Sequence, residues 1–292
     1  MIDEKYSDVV LLAEANQWPS ALTPYFGNGD EFHMAFHFPL MPRLFMALRS
    51  EQKELIEEVI RNTPGIPLNC QWAIFLRNHD ELTLEMVDGA DRDYMYQEYA
   101  KDDRMRLNLG IRRRLAPLME NGRRQIELLY ALLFSLPGSP VIYYGDELGM
   151  GDNIYLSDRN GVRTPMQWSI DRNAGFSRAE SARLYSPVNV DPVYGYQHIN
   201  VESEKHIQPS LLNWVRRLIK IRKLFSAFGR GKLRFISNSN PAVISFLREY
   251  ENQTLLIIAN LSRFSQPCEM DLKIFNCLVP REPFGHVVFP KI

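Results

Sequence analysis

Four short apolar segments alternate with helical patterns in this chain, and three of them are followed within two residues by an ionisable residue. The segments are 8–13, 33–38, 72–76 and 140–144. Apolar runs of this length without polar alternation are typical of strands that are buried on both faces. Strands that alternate with helices form parallel sheets, so the pattern predicts a β/α fold.

The intervals between these segments carry helical periodicity. A helical pattern is predicted between residues 44 and 59, at 91–101, at 104–119 and at 123–135, and again around 214–225. Residues 148–207 have no clear period, and a segment of that length is typical of an elaborated functional loop.

The hydrophobic pattern changes after Gly229 to an alternation of apolar and polar residues. Residues 243–248 and 254–259 read as two strands joined by a polar turn, which predicts an antiparallel hairpin. We therefore expect a β/α domain at 1–228 and the start of a β-sandwich domain at 229–292.

Charge and cysteine content exclude several classes of protein. The 292 residues hold 34 Lys and Arg against 35 Asp and Glu, so a basic face for nucleic acid or an anionic membrane is not expected. The three cysteines lack CxxC spacing, which argues against a disulfide framework or a zinc site. With an acidic N-terminus and no long apolar stretch free of proline, we expect a cytoplasmic protein.

The ends of the predicted strands are the first place to seek chemistry. In a β/α barrel the active site lies at the carboxyl ends of the strands, and Glu14, His79 and Asp80 occupy such positions. A carboxylate at the end of each of two barrel strands can flank a glycosidic bond, one donating a proton and the other holding sugar hydroxyls. Spacing alone leaves the alternative open that these residues are helix N-caps or ion-pair partners.

The sequence motifs around these residues resemble those of a known family. LLAEANQ (11–17) and FLRNHDE (75–81) resemble the strand-5 acid/base motif and the strand-7 His-Asp motif of the α-amylase superfamily of glycoside hydrolases. GVRTPMQW (161–168) is similar to the loop after strand 8 in its α-glucosidase and sucrose-isomerase branch. Stretches over nearly the whole chain resemble the subgroup that converts maltose to trehalose by glucosyl transfer: 13–19, 36–48, 75–87, 110–118, 143–169 and 191–197.

The resemblance implies a role for each matching residue. Glu14 matches the general acid/base, Asp80 the transition-state stabiliser and His79 a donor to the hydroxyls of the reacting glucose. Arg163 matches an arginine that contacts the non-reducing end of the substrate. The implied substrates are the disaccharides maltose and trehalose. Two alternatives stay open: an α-glucosidase or another glucosyl-transferring isomerase, and a non-catalytic chain that binds carbohydrate or protein.

The sequence departs from the family pattern at its start. The family's nucleophile, an Asp at the end of strand 4, must precede the acid/base, and only thirteen residues precede Glu14. We therefore expect strands 5–8 of a (β/α)₈ TIM barrel, whose missing partner is the N-terminal half of the same enzyme. We expect this chain alone to be inactive and to need no cofactor, since the family's calcium ligands lie mostly in that front half.

Two polar clusters receive structural interpretations. Arg112, Arg113 and Arg114 are predicted to form a solvated helix face. Asp152, Asn153, Asp158 and Asn160 offer oxygen ligands that suit Ca²⁺, but such residues are more often turn formers.

Overall fold

The computed structural model describes residues 5–285 together with 287 and 289. The strands are β1 (Leu12–Ala13), β2 (Met34–Phe36), β3 (Gln71–Phe75), β4 (Leu82–Thr83), β5 (Arg106–Leu107), β6 (Gly110–Ile111), β7 (Ser139–Val141), β8 (Lys232–Phe235), β9 (Val243–Tyr250) and β10 (Gln253–Asn260). The α-helices are α1 (Pro19–Leu22), α2 (Leu40–Ser50), α3 (Glu54–Arg61), α4 (Gly89–Tyr99), α5 (Leu115–Leu118), α6 (Arg123–Ser135), α7 (Val201–His206), α8 (Leu211–Leu224) and α9 (Ser226–Arg230).

The four apolar segments form one parallel sheet in the order β1-β2-β3-β7. β1, β2 and β7 are shorter than their apolar segments, because hydrogen-bonded pairing covers only two or three residues of each, whereas β3 has the length of its segment and begins one residue earlier. Strands that are adjacent in the sheet are also consecutive among the four predicted strands. Helices follow β2 and β3 in the chain. The predicted β/α organisation with parallel strands is confirmed.

Helix α6 has the bounds that the periodicity predicts. Its buried face carries Ile126, Leu129, Leu132 and Leu133, spaced three or four residues apart, and these side chains join the main core. Predicted residues 44–59 form two helices instead of one, because Glu51 adopts a left-handed conformation (φ 57°) that ends α2.

The predicted helix at 104–119 is wrong. A 3₁₀ turn at Asp103–Met105 leads into β5 and β6, which form a small antiparallel sheet with β4, and only α5 is helical. Asn108 takes a left-handed conformation (φ 50°) in the two-residue loop between β5 and β6. A Cβ atom at Gly110 would lie 2.6 Å from the Leu82 carbonyl oxygen, so glycine permits the close approach of β6 to β4. Tertiary pairing thus overrides the helical propensity of this Arg- and Leu-rich stretch.

Residues 148–207 form the predicted elaborated loop. It contains short 3₁₀ turns at Asn160–Val162, Arg172–Gly175 and Ser181–Arg183, and it ends in α7.

The C-terminal sheet is antiparallel in the order β10-β9-β8, and its hairpin turns at Glu251 and Asn252. The predicted hairpin is confirmed. Buried Arg248 on β9 donates to the carbonyls of Ser135 (2.6 Å) and Gly231 (2.9 Å) and so fastens this sheet to the end of α6. Among the residues the structure describes, no helix is long and apolar enough to cross a membrane.

Candidate active site

Glu14, His79 and Asp80 meet at the carboxyl edge of the parallel sheet. Glu14 directly follows β1, and His79 and Asp80 follow β3. Because the strands are parallel, their carboxyl ends lie at the same edge of the sheet. One ring nitrogen of His79 and one oxygen from each carboxylate lie within 4.8 Å of one another. The structure thus brings together three of the four predicted site residues.

The fourth predicted residue, Arg163, reaches the same cluster from the loop after β7. Its Nη2 lies 2.6 Å from Oδ1 of Asp80, and its Nε donates to the His79 carbonyl at 2.7 Å. A second arginine, Arg159, brings its Nε to 2.9 Å from the same Oδ1. Two guanidinium groups therefore fix one oxygen of Asp80, and the other oxygen lies 3.7 Å from His79 Nε2.

Arg159 was missed by the sequence analysis. Its guanidinium also bridges both carboxylate oxygens of Glu81, at 2.9 and 3.2 Å, and Asn108 donates to Glu81 Oε1 at 2.7 Å. Its position four residues before Arg163 in the strand-8 loop was the available signal. In an irregular loop, however, the spacing of two residues does not determine the directions of their side chains. Only the folded chain shows that both arginines contact Asp80.

Arg77 supports the cluster from inside the protein. It is 1% exposed, and it donates to the Asp80 carbonyl at 2.7 Å and to the Arg113 carbonyl at 2.6 Å. Burial lowers the pKa of Arg77 to about 10, and the negative charge of Asp146 opposes that change. The main chain of Asp80 is thereby held independently of its carboxylate.

The loop after β7 is anchored on both sides of Arg163. The hydroxyl of Tyr143 donates to the Val162 carbonyl at 2.9 Å, and that of Tyr144 donates to the Thr164 carbonyl at 2.7 Å. The Arg114 guanidinium lies 4.6 and 4.7 Å from the centres of these two tyrosine rings.

The prediction of a solvated helix face for Arg112–Arg114 is wrong. Arg114 is fully buried and pairs with Asp146 at 3.1 Å. Arg113 pairs with buried Asp152 at 2.9 Å, and Arg112 donates to backbone carbonyls of the long loop. The segment lies between β6 and α5 and not on a helix, so the three side chains do not share one solvated face: Arg114 is buried, and Arg112 and Arg113 are partly buried.

Two of these polar residues differ in role, because buried Asp152 is the partner of distant arginines whereas Asn153 forms a local turn. Both oxygens of Asp152 accept from Arg113, and one also accepts from the Arg114 N–H at 2.7 Å. Asn153 Oδ1 accepts from the Tyr155 N–H at 3.0 Å, which closes a local turn.

Glu14, His79 and Asp80 are also the group of described residues whose donor atoms are close enough to hold a cation. Arg159 and Arg163 already place positive charge on Asp80, which disfavours a divalent ion there. Carboxylates and an imidazole at this spacing serve equally well as partners for sugar hydroxyls.

Two family models match this chain. The model described as "Alpha amylase, catalytic domain" matches residues 1–231, and the model described as "Maltogenic Amylase, C-terminal domain" matches residues 233–292.

Curated relatives match the whole chain at high identity. The chain is 57% identical to the trehalose synthase/amylase of Mycobacterium tuberculosis over 100% of its own length and 50% of that protein. It is 50% identical to the trehalose synthase of Thermus thermophilus, over 100% of its own length and 30% of that protein. The chain thus spans about half the length, or less, of the curated relatives it matches.

Solved structures show the same fold at lower identity. The alpha-amylase from H. orenii superposes with a TM-score of 0.63 and 24% identity, covering 89% of this chain and 44% of that one. A trehalulose synthase variant in complex with Tris gives a TM-score of 0.61 and 21% identity, covering 89% and 48%. The prediction of part of a TIM barrel followed by an antiparallel sheet is confirmed. With a catalytic-domain model matching residues 1–231, the chain belongs to the alpha-amylase family of enzymes.

Proposed function

We propose that this chain supplies the acid/base and stabilising side of an active site that isomerises maltose to trehalose. The observation that carries the proposal is the cluster of Glu14, His79 and Asp80 in a chain that is 50–57% identical over its whole length to proteins named trehalose synthase. At 57% identity the local environment of a site is far better matched than at the 21–24% of the solved structures.

Glu14 has the exposure that proton transfer to a substrate requires. Its side chain lies in the open at the end of β1, and no described residue forms a hydrogen bond or ion pair with its carboxylate. In the proposed first step Glu14 donates its proton to the glycosidic oxygen of maltose as the bond from C1 to that oxygen breaks. The second glucose unit leaves as the neutral sugar.

Asp80 is suited to the stabilising role because its carboxylate is fixed in place. Arg159 and Arg163 hold one oxygen, and the other faces His79. Positive charge develops at C1 of the reacting glucose, and a fixed carboxylate stabilises that charge without reorganising. His79, with a half-exposed side chain, donates to a hydroxyl of the same glucose.

A retaining reaction also needs a nucleophile that accepts the glucosyl unit. We propose that a carboxylate from the N-terminal half of the enzyme, outside residues 1–292, forms a β-glucosyl-enzyme on the face of C1 opposite Glu14. The freed glucose then turns, Glu14 removes the proton from its anomeric hydroxyl, and that oxygen attacks C1. Two inversions give the α,α-linkage of trehalose with net retention.

The test is product analysis with the full-length protein that contains this chain. It is incubated with maltose and the sugars are separated by chromatography. Trehalose as the main product supports the proposal, glucose alone supports an α-glucosidase instead, and an inert full-length protein overturns both.

A second arm uses the 292-residue chain by itself and in the presence of the N-terminal half of the Mycobacterium tuberculosis relative. We expect no conversion of maltose by the chain alone, and association in light scattering, because β1 and β7 each leave a sheet edge unpaired. Conversion by the mixture and not by either half supports a shared active site. A monodisperse chain that makes trehalose unaided contradicts the proposed division of the site.

A further inference from the structure

We propose that Arg112 is a positioning residue that holds the loop at 154–163 so that Arg159 and Arg163 converge on Asp80. The inference rests on the proposed function for its kinetic consequence, while the loop anchoring itself is independent of it. Neither the family resemblance nor the predicted site residues assign a role to Arg112.

The guanidinium of Arg112 binds backbone carbonyls instead of a carboxylate. Its Nη1 donates to the carbonyls of Leu156 and Asp158, both at 2.5 Å, and its Nη2 donates to that of Ile154 at 3.0 Å. Its Nε donates to the Arg104 carbonyl at 2.6 Å. The Arg112 side chain thereby hydrogen-bonds to three alternate carbonyls of the loop and links them to the segment before β5.

This arrangement needs the shape of arginine. The guanidinium is planar and presents five N–H donors in a fixed fork, so it can satisfy four carbonyls at once. Lysine carries the same charge on a single nitrogen with three donors and cannot span the same set. The geometry therefore predicts that charge alone does not replace Arg112.

The carbonyls that Arg112 binds precede Arg159 and Arg163 in the chain. The Asp158 carbonyl belongs to the peptide bond that enters Arg159, and the 3₁₀ turn at Asn160–Val162 then leads to Arg163. Both arginines contact Oδ1 of Asp80. Displacing the Asp158 carbonyl therefore moves Arg159 first and Arg163 through the turn.

Arg112 variants are expected to fold, because the loop has a second support. The hydroxyls of Tyr143 and Tyr144 hold the carbonyls on either side of Arg163 and do not depend on Arg112. Arg112 is also only partly buried, unlike Arg77 and Arg114. Its replacement leaves no charge stranded in the core.

The first test is hydrogen exchange of the full-length protein, compared among wild type, Arg112→Met, Arg112→Lys and the control Arg124→Met. Arg124 is an exposed arginine on α6. We expect peptides covering 153–163 to exchange about tenfold faster in both Arg112 variants and at the wild-type rate in Arg124→Met, with β9 and β10 unchanged in all. Unchanged exchange at 153–163, or faster exchange throughout the protein, overturns the proposal.

The second test is kinetic and uses Arg112→Ala with added guanidinium ion at low millimolar concentration. We expect a KM for maltose about tenfold higher and a lower kcat in the variant, since small displacements of positioning groups are costly. Guanidinium should restore part of the activity lost in Arg112→Ala, and ammonium should not. Equal effects of the two ions contradict the requirement for the forked N–H donors of a guanidinium group. A wild-type protein without maltose isomerisation refutes the proposed function, and the exchange comparison then still decides the role of Arg112.

Discussion

The ends of the four parallel strands fall into two contrasting pairs. Glu14 and Asp80 follow β1 and β3 and are open to solvent in whole or in part, whereas His37 and Asp146 follow β2 and β7 and are each 2% exposed. In each pair one residue comes directly after its strand and the other comes five residues later. Position relative to the strand therefore does not distinguish the pairs.

For Glu14 and His37, which directly follow their strands, the side of the sheet on which each residue lies explains the difference in exposure. His37 lies on the same side of β2 as buried Ala35, with its ring 5.5 Å from that of Trp72 and its Nε2 2.7 Å from Thr63 Oγ1. Glu14 lies on the same side of the edge strand β1 as exposed Leu12. Because side chains alternate along a strand, a shift of one residue exchanges a reactive position for a structural one.

The largest effect is expected from Glu14→Gln in the full-length protein. General acid catalysis contributes about 10²- to 10⁴-fold, so turnover of maltose should fall by that factor. Glucosylation by α-glucosyl fluoride, whose leaving group needs little protonation, should fall far less. Glu269→Gln, at an exposed glutamate of the C-terminal domain, is the control. Equal losses on both substrates would remove Glu14 from the acid role.

The buried histidine should act on stability and not on catalysis. Burial lowers the pKa of His37 from 6.5 to about 4. The neutral form is thus preferred in the folded state, and the resulting stability is present above pH 6.5 and lost as the pH falls towards 4. The loss amounts to about 3 kcal/mol at 1.36 kcal/mol per pH unit.

Unfolding midpoints between pH 4 and pH 7 measure this effect. His37→Gln should show a flatter profile than wild type, and His206→Gln, at an exposed histidine on α7, should keep the wild-type slope. Identical profiles for His37→Gln and wild type would show that His37 does not titrate in the folded protein as its burial requires.

Asp146 should produce the opposite slope. Burial raises its pKa from 3.8 to about 6, against the effect of Arg114 and Arg77. A raised pKa in the folded state means that stability is fully present below pH 3.8 and is lost as the pH rises through 6. Asp146→Asn should remove this component, so that its unfolding midpoint falls less than that of wild type between pH 4 and pH 6. A steeper fall would contradict the assignment.

The smallest effect is expected at Arg163. If it binds the non-reducing glucose equally in the ground and transition states, Arg163→Ala should raise KM about tenfold and change kcat less. Because Arg163 also contacts Asp80, a fall in kcat without a change in KM would mean that it acts through that carboxylate instead. Arg178→Ala, at an exposed arginine of the same long loop, is the control.

Local signals in the sequence were sufficient for the elements that depend on local order. The bounds of α6 follow from apolar spacing at 126, 129, 132 and 133, and the β9–β10 hairpin follows from alternation around a polar turn. The parallel sheet follows from the four apolar segments, although only 72–76 is buried throughout and the edge strands β1 and β7 keep exposed or partly buried residues. The candidates Glu14, His79, Asp80 and Arg163 came from motifs, and the fold brings all four together.

The sequence by itself therefore determined the strands of the parallel sheet and of the β9–β10 hairpin, together with the residues that follow the parallel strands, since these depend on local hydrophobic pattern. Only the tertiary structure decided that residues 106–111 form a hairpin, that Arg114 is buried, and that Arg159 joins Arg163 at Asp80. These features depend on contacts between residues up to about eighty positions apart, such as the Asp80–Arg159 pair. No local pattern encodes them, because their energies arise only when the packed chain removes water from charged and apolar groups together.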